Sequence, residues 1–315
     1  LFNGKWSNRE ATLPNYPSGA TINSGRYEIL EQDRQVHRRD VWTQVQMDLA
    51  WKCQKQTEDR MIELIQKAHE QTGETNIIVS GGYGLNCVAN YKYWKAFPNL
   101  KFHCEPISHD GGTSLGGAKY LYNKLKNKQS KTTNNWATNT DNKDIDIQIM
   151  PAQTSIYYGP KYDPDSYMKE LGGYEVTDTS YEDIAKLIRE GNIVTIFQGR
   201  SEGGPRALGN RSILFDPTIE DGKDIVNKVK KREHWRPFAG TVLADHAHEW
   251  FDMDRLYESP HMMYAVDVLQ PDKIPCITHV DNTCRIQTLT EEQNPNYYKL
   301  IEAFYHLTGV PILFN

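Results

Sequence analysis

Two strand, glycine-turn and helix units in the first half of the chain, and a helix-to-strand alternation after a polar break, predict a mixed α/β and α+β protein with about two domains. Length agrees, because 315 residues exceed the size at which one hydrophobic core usually stops growing. A hydrophobic fraction of 38%, with 18 Tyr, 9 Phe and 7 Trp, supplies core material, so the chain reads as globular rather than disordered.

Composition also excludes function classes. No run approaches the roughly 18 to 20 apolar residues of a membrane span, and LFNGKWSNRE lacks a signal-peptide layout, so a soluble, cytoplasmic protein is expected. Five cysteines without a CxxC pair argue against a disulfide framework or a zinc ribbon. A net charge of −5 argues against broad nucleic-acid binding but leaves room for a local basic pocket. A homodimer is compatible with all of this. The chain begins without Met and stops directly after VPILF, which reads as a piece of a longer protein.

Residues 1–40 are polar and carry no sustained period. From Val41 to Gln71, apolar residues recur at helical spacing (Val45, Leu49, Cys53, then Met61, Leu64, Ile65, Ala68), with Gly73 placed to stop the helix. NIIVSGGYGLN then reads as a buried strand, a glycine turn and a helix from about Leu85. LKFHCEPISHDGGTSLGGA repeats the theme, with a strand near Phe102, the Asp110-Gly111-Gly112 turn and a helix from Ser114. The turns at the carboxyl ends of such strands are where α/β proteins hold ligands, and both are expected to face one ligand. The polar stretch from Asn127 to about Asp146 marks a linker. The domain reading is therefore 1–127, a linker or insertion over 128–150, and 151–315. Beyond it come a helix capped by Thr179 or Ser180 and stopped by Gly191, the strand IVTIFQ, a helix around 221–231, a strand around 240–243, the segment HMMYAVDVL, the strand DNTCRIQTL, the helix NYYKLIEAFYHLTG, and VPILFN.

The densest chemistry lies between Gly199 and Arg236, where nine basic residues face six acidic ones in an otherwise acidic chain. In RSEGGPRALGNRS, Arg200, Arg206 and Arg211 alternate with Gly203, Gly204, Pro205 and Gly209. KKREHWRPF adds Lys231, Arg232 and Arg236. A basic run is ordinarily a solvated face. Here the glycines allow close backbone approach, and guanidinium forks bind phosphate or carboxylate at two points, so an oxyanion cradle is expected. Arg285 and Gln287 share one face of the DNTCRIQTL strand and could complete it. Ser80, Gly81, Gly82 and Asn86 open a helix where free N–H groups attract phosphate. Asp110 could hold a metal or a magnesium nucleotide beside Gly111 and Gly112. Serine-hydrolase, zincin and P-loop motifs are absent.

The motifs SGGYGLN, SHDGGTSLGGA, GRSEGGPRALGNRSIL, KKREHWRPFAGTVL, HVDNTCRIQTL and TGVPILFN, in this order, resemble the NodU/CmcH-type O-carbamoyltransferases from about residue 40 to the end. GGPRALGNRSIL and WRPFAG are the most specific of them. The resemblance implies the C-terminal part of an ASKHA (actin/Hsp70-like) domain followed by a YrdC-like domain. It implies an ATP-dependent reaction in which carbamoyl phosphate and ATP give carbamoyl-adenylate, and the carbamoyl group passes to the hydroxyl of a small-molecule acceptor. Carried over, Asp110 is a ligand of a metal, usually iron, with magnesium the alternative. Ser80, Gly81, Gly82, Asn86, Gly111 and Gly112 line the nucleotide. Arg200, Arg206, Arg211, Lys231, Arg232, Arg236, Arg285 and Gln287 form the carbamoyl phosphate and ATP-phosphate pocket. The family's two histidine ligands belong to an HxxxH motif that this chain does not contain. Two other readings stay open: an ASKHA-type small-molecule kinase, and a non-catalytic nucleotide- or RNA-binding module.

Overall fold

A computed structural model describes residues 21–23, 26–28, 44–129, 155–163, 175 and 177–315. The chain divides into two compact units, residues 1–74 with 227–236, and residues 75–226 with 237–315. The 128–150 linker lies almost wholly outside the described residues.

In the first unit, β1 (Thr21–Asn23) and β2 (Arg26–Glu28) pair antiparallel. The long helix α1 (Gln44–Thr72) follows the predicted period. Its exposed face carries ion pairs one turn apart, Lys55–Asp59 at 2.6 Å and Arg60–Glu63 at 2.5 Å, while Glu58 and Ile65 are buried. Gly73, at φ 71°, ends the helix and its N–H returns to the His69 carbonyl at 2.8 Å. Residues 227–236 fold around one side chain. Asn227 Nδ2 donates to the carbonyls of His234 and Arg236, each at 3.0 Å, and its Oδ1 accepts from Arg232 Nε at 2.5 Å.

The second unit begins with β3 (Asn76–Val79), crosses over through α2 (Cys87–Ala96), and returns in β4 (Lys101–Cys104), which runs parallel to β3 with Val79 opposite Cys104. α2 starts two residues later than the glycine pattern suggests. Gly82–Leu85 form a 3-10 turn first, and Asn86 caps the helix, its side chain accepting from Ala89 N at 3.2 Å. α3 (Gly112–Gln129) follows the second glycine turn. It begins at Gly112 rather than Ser114.

Next come α4 (Tyr181–Arg189), β5 (Val194–Phe197), β6 (Arg211–Leu214) and α5 (Gly222–Val229), whose last residues fall in the first unit. β7 (Ala239–Leu243), the short helix α6 (Ala247–Trp250), β8 (Phe251–Asp252), β9 (Ala265–Val268), β10 (Thr283–Leu289), α7 (Pro295–Thr308) and β11 (Ile312–Phe314) complete the chain. Five strands form a mixed sheet in the order β11-β7-β10-β9-β8, with β7 and β10 parallel and the other neighbours antiparallel. α7 lays Tyr297, Leu300, Ile301 and Phe304 on the core, the i, i+3, i+4, i+7 pattern of a helix with one apolar stripe. Leu300, Ile301 and Phe304 each contribute about 1.5 to 3 kcal/mol by leaving water. One core joins Val79, Tyr91 and Cys104 to Leu214, Val242, Ile286 and Phe314, so residues before and after the 128–150 linker pack together.

Candidate anion and nucleotide site

The arginine loop is the connection of the β5–β6 hairpin, whose ladder ends with Phe197 opposite Arg211. Gly199 (φ 50°) and Gly209 (φ 104°) supply its left-handed turns, and a Cβ on Gly209 would run into the Tyr297 ring. Three arginines leave this loop in three directions. Arg200 is exposed and donates to the Tyr158 carbonyl at 3.1 Å. Arg211 stacks over Phe197, 3.7 Å from its centroid, and donates to the carbonyls of Gln198 at 2.6 Å and Asn210 at 2.7 Å. Its guanidinium is committed to holding the hairpin.

Arg206 turns inward. Its Nη2 donates to the Leu85 carbonyl at 3.1 Å, while its Nε is buried without a hydrogen-bond partner. Burial, and then the neighbouring Arg285 guanidinium, hold its pKa down at about 10, so it still carries its charge at pH 7. Arg285 comes from β10, and its Nε is also buried without a partner. Two half-buried guanidinium groups that repel each other and keep unused N–H donors are complementary to an oxyanion.

Gln287, two residues further on the same strand, is fully engaged. Its Oε1 accepts from Thr241 Oγ1 at 3.0 Å and its Nε2 donates to the Leu208 carbonyl at 3.3 Å. Nearby, His279 faces the Phe238 carbonyl with Nε2 at 2.9 Å, and burial depresses its pKa.

Both glycine turns sit at the carboxyl ends of the parallel strands β3 and β4. Ser80 and Gly81 are exposed, with Gly81 at φ 82°. Asn90 Nδ2 fixes the turn by donating to the Gly84 carbonyl at 2.8 Å. The second turn packs beside it, since a Cβ on Gly84 would meet Ser108 Oγ at 3.1 Å. Gly112 lies so close to the Ile107 carbonyl that no side chain fits there. Gly111 N donates to His109 Nδ1 at 2.9 Å, and both His109 Nε2 and Ser108 Oγ are buried without partners. A cleft of about 250 Å³ is lined by Ile107, Gly111, Ser114, Leu115, Tyr158 and Gly203. The second glycine turn and the arginine loop, separate motifs in the sequence, therefore border one space.

Asp110 is exposed, and its carbonyl accepts from Thr113 Oγ1 at 2.6 Å. Among the described residues, no group of three His, Cys, Asp or Glu side chains gathers to hold an ion. Asp110 therefore lacks, among the described residues, the two further His, Cys, Asp or Glu side chains that a three-ligand ion site needs. Lys231, Arg232 and Arg236 belong to the other unit. There Lys231 is exposed at φ 51°, and Arg236 pairs with Glu233 at 2.6 Å and lies over the Trp235 ring.

Sequence reasoning missed four contributors. Glu202 accepts from the amides of Leu208, Asn210 and Arg211 at 2.7, 2.9 and 3.3 Å. Cys87 lies within electrostatic reach of Arg206. Tyr158 and Ile107 wall the cleft. Only Glu202 left a trace in the sequence, as the single acid within the arginine loop.

Residues 185–315 match the family model described as "Carbamoyltransferase C-terminus". The uncharacterized protein sll1178 of Synechocystis is 32% identical over 333 residues, covering 96% of this chain and 51% of that protein. Nodulation protein NolNO of Sinorhizobium fredii is 34% identical, covering 89% and 40%. The 3'-hydroxymethylcephem-O-carbamoyltransferase of Streptomyces clavuligerus is 30% identical, covering 76% and 42%. The chain spans about half the length of these curated relatives, or less. A solved structure of full-length HypF, in a phosphate- and nucleotide-bound form, matches 45% of the chain at 17% identity with a TM-score of 0.33, too slight a likeness to bear on the fold. Residues 185–315 thus carry a carbamoyltransferase C-terminal domain, and the chain is similar over most of its own length to proteins of that family.

Proposed function

We propose that this chain is the part of an ATP-dependent O-carbamoyltransferase that binds carbamoyl phosphate and the nucleotide. The observation that carries the proposal is the Arg206–Arg285 pair, two charged, half-buried guanidinium groups with unpartnered Nε donors. A phosphate dianion placed between them relieves their repulsion and satisfies both donors. Preorganised donors of this kind are worth about 10²- to 10³-fold each where charge develops on phosphoryl oxygens.

In the proposed reaction, carbamoyl phosphate is hydrolysed to carbamate and phosphate. Carbamate oxygen attacks the α-phosphorus of ATP, releasing pyrophosphate and forming carbamoyl-adenylate. A substrate hydroxyl then attacks the carbamoyl carbon and AMP leaves. Arg206 and Arg285 hold the phosphoryl group, while Arg200, Arg211 and Gln287 shape the loop and sheet around them. Ser80, Gly81, Gly82, Gly111 and Gly112 let the nucleotide approach the backbone. Asn86 acts through the helix start it caps. For Lys231, Arg232 and Arg236 the role rests on the family resemblance alone, as do the metal at Asp110 and the ASKHA-type and YrdC-like domains. Carbamate decomposes in water, so a path between sites shielded from solvent is expected. The acceptor is a small-molecule hydroxyl compound, as the name of the cephem relative indicates for that protein.

Incubation of the protein with ATP, carbamoyl phosphate and a panel of hydroxyl compounds should release AMP and pyrophosphate only when carbamoyl phosphate is present. Accumulation of ADP, independent of carbamoyl phosphate, would instead identify a kinase.

A further inference from the structure

The Gly199–Arg211 connection is stitched along one of its limbs. Beyond the last β5–β6 pair, Gln198 N donates to the Asn210 carbonyl at 3.2 Å and Asn210 Nδ2 donates to the Arg200 carbonyl at 2.7 Å. Above these bonds, the amides of Leu208, Asn210 and Arg211 all converge on a single oxygen, Glu202 Oε1, at 2.7, 2.9 and 3.3 Å. Because those N–H groups point inward, the carbonyls between them point outward, and each is taken. Ala207 O accepts from Asn315 Nδ2 at 3.2 Å, Leu208 O from Tyr157 OH at 2.9 Å and Gln287 Nε2 at 3.3 Å, and Gly209 O from Gln198 Nε2 at 2.9 Å. Every peptide from 207 to 211 is therefore oriented. Arg206 is the residue immediately before this fixed run.

We propose that Glu202 is a positioning residue for the anion site, its carboxylate bracing the descending limb so that the Arg206 guanidinium stays inward against Leu85 O, facing Arg285. A carboxylate suits this task because charge-assisted bonds to backbone N–H are about twice as strong as neutral ones, and one oxygen can receive several donors. Glu202 touches no ligand in this role; it acts through Arg206. The inference rests on the carbamoyl phosphate pocket proposed above.

Calorimetric titration of carbamoyl phosphate, and separately of ATP, into the 315-residue chain and its Glu202→Gln and Glu202→Ala variants tests it, alongside thermal unfolding. Glu202→Gln keeps the shape and one acceptor oxygen but loses the charge, and should weaken carbamoyl phosphate binding about tenfold. Glu202→Ala frees the limb and should weaken it about 10²-fold, the scale on which a misplacement of about 1 Å acts. ATP affinity should stay within about twofold, and the Glu202→Gln protein should keep its Tm to within a few degrees. Should Glu202→Ala fail to fold, Glu202→Gln decides. Unchanged carbamoyl phosphate binding in the variants overturns the role of Glu202 while leaving the pocket. Parallel loss of ATP binding, carbamoyl phosphate binding and Tm shows a merely structural residue and likewise overturns it. A wild-type chain that binds no carbamoyl phosphate removes the pocket, and the role of Glu202 with it.

Discussion

Arg206 and Arg285 stand where charge is costly. Arginine normally keeps its proton above pH 12, yet burial and the adjacent guanidinium bring Arg206 down to about 10. The ligand-free fold thus works against its own pocket, and removing one partner should help stability while harming function. Arg285→Met keeps the apolar stem and deletes the charge. It should raise stability at pH 7, because the repulsion that helps hold the Arg206 pKa down is removed, and weaken carbamoyl phosphate binding at least tenfold. Denaturant unfolding and calorimetry check the two halves; a loss of both would make Arg285 a packing residue. The residue types of this site were legible in the sequence, but their division of labour was not. Arg206 and Arg211 look alike in GGPRALGNRS, yet Arg211 spends its donors on three backbone carbonyls of its own hairpin and stacks on Phe197, while Arg206 retains a free buried Nε. No local pattern distinguishes them, because the Arg206 acceptor at Leu85 lies 121 residues away.

Helices and strands followed the sequence more closely, since each is specified by near neighbours. α1 spans Gln44–Thr72 where the period ran from Val41 to Gln71. α4 starts after Ser180, whose Oγ accepts from Asp183 N at 3.1 Å, and stops before Gly191 at φ 85°. Ser180→Ala should therefore lower stability by about 1 kcal/mol in denaturant unfolding, with carbamoyl phosphate affinity unchanged. The departures lie at the two glycine turns. At the first, the Gly82–Leu85 turn delays the helix to Cys87. At the second, the tight approach of Gly112 to Ile107 O brings the helix start forward. At the first, Gly84 packs against Ser108 of the second turn; at the second, the close approach is local, within residues 107–112. The pairing of β3 with β4 in parallel, joined through α2, is what sets those turns side by side.

Across the molecule, the clearest pH sensor among the described residues is His261. Burial, reinforced by His103 and opposed by Glu105, brings its pKa to about 4. The unfolded chain binds a proton there from about pH 6.5 downward and the folded chain does not, so stability falls as pH drops from 6.5 toward 4. The full loss from this group is about 3 kcal/mol. His261→Gln should flatten that acid limb when Tm is compared at pH 7 and pH 4.5; an unaltered limb would show that other groups carry it. At this scale the sequence by itself determined the mixed α/β class, the order of elements and the inventory of arginines and glycine turns, because periodicity, caps and turn residues act over a few positions. The tertiary structure decided the rest. It set residues from both sides of the 128–150 linker around one core, brought the second glycine turn and the arginine loop to a common cleft, and left Arg206 and Arg285 facing each other with unused donors. Burial and pairing are properties of neighbours in space, and for these residues the neighbours lie scores of positions away along the chain.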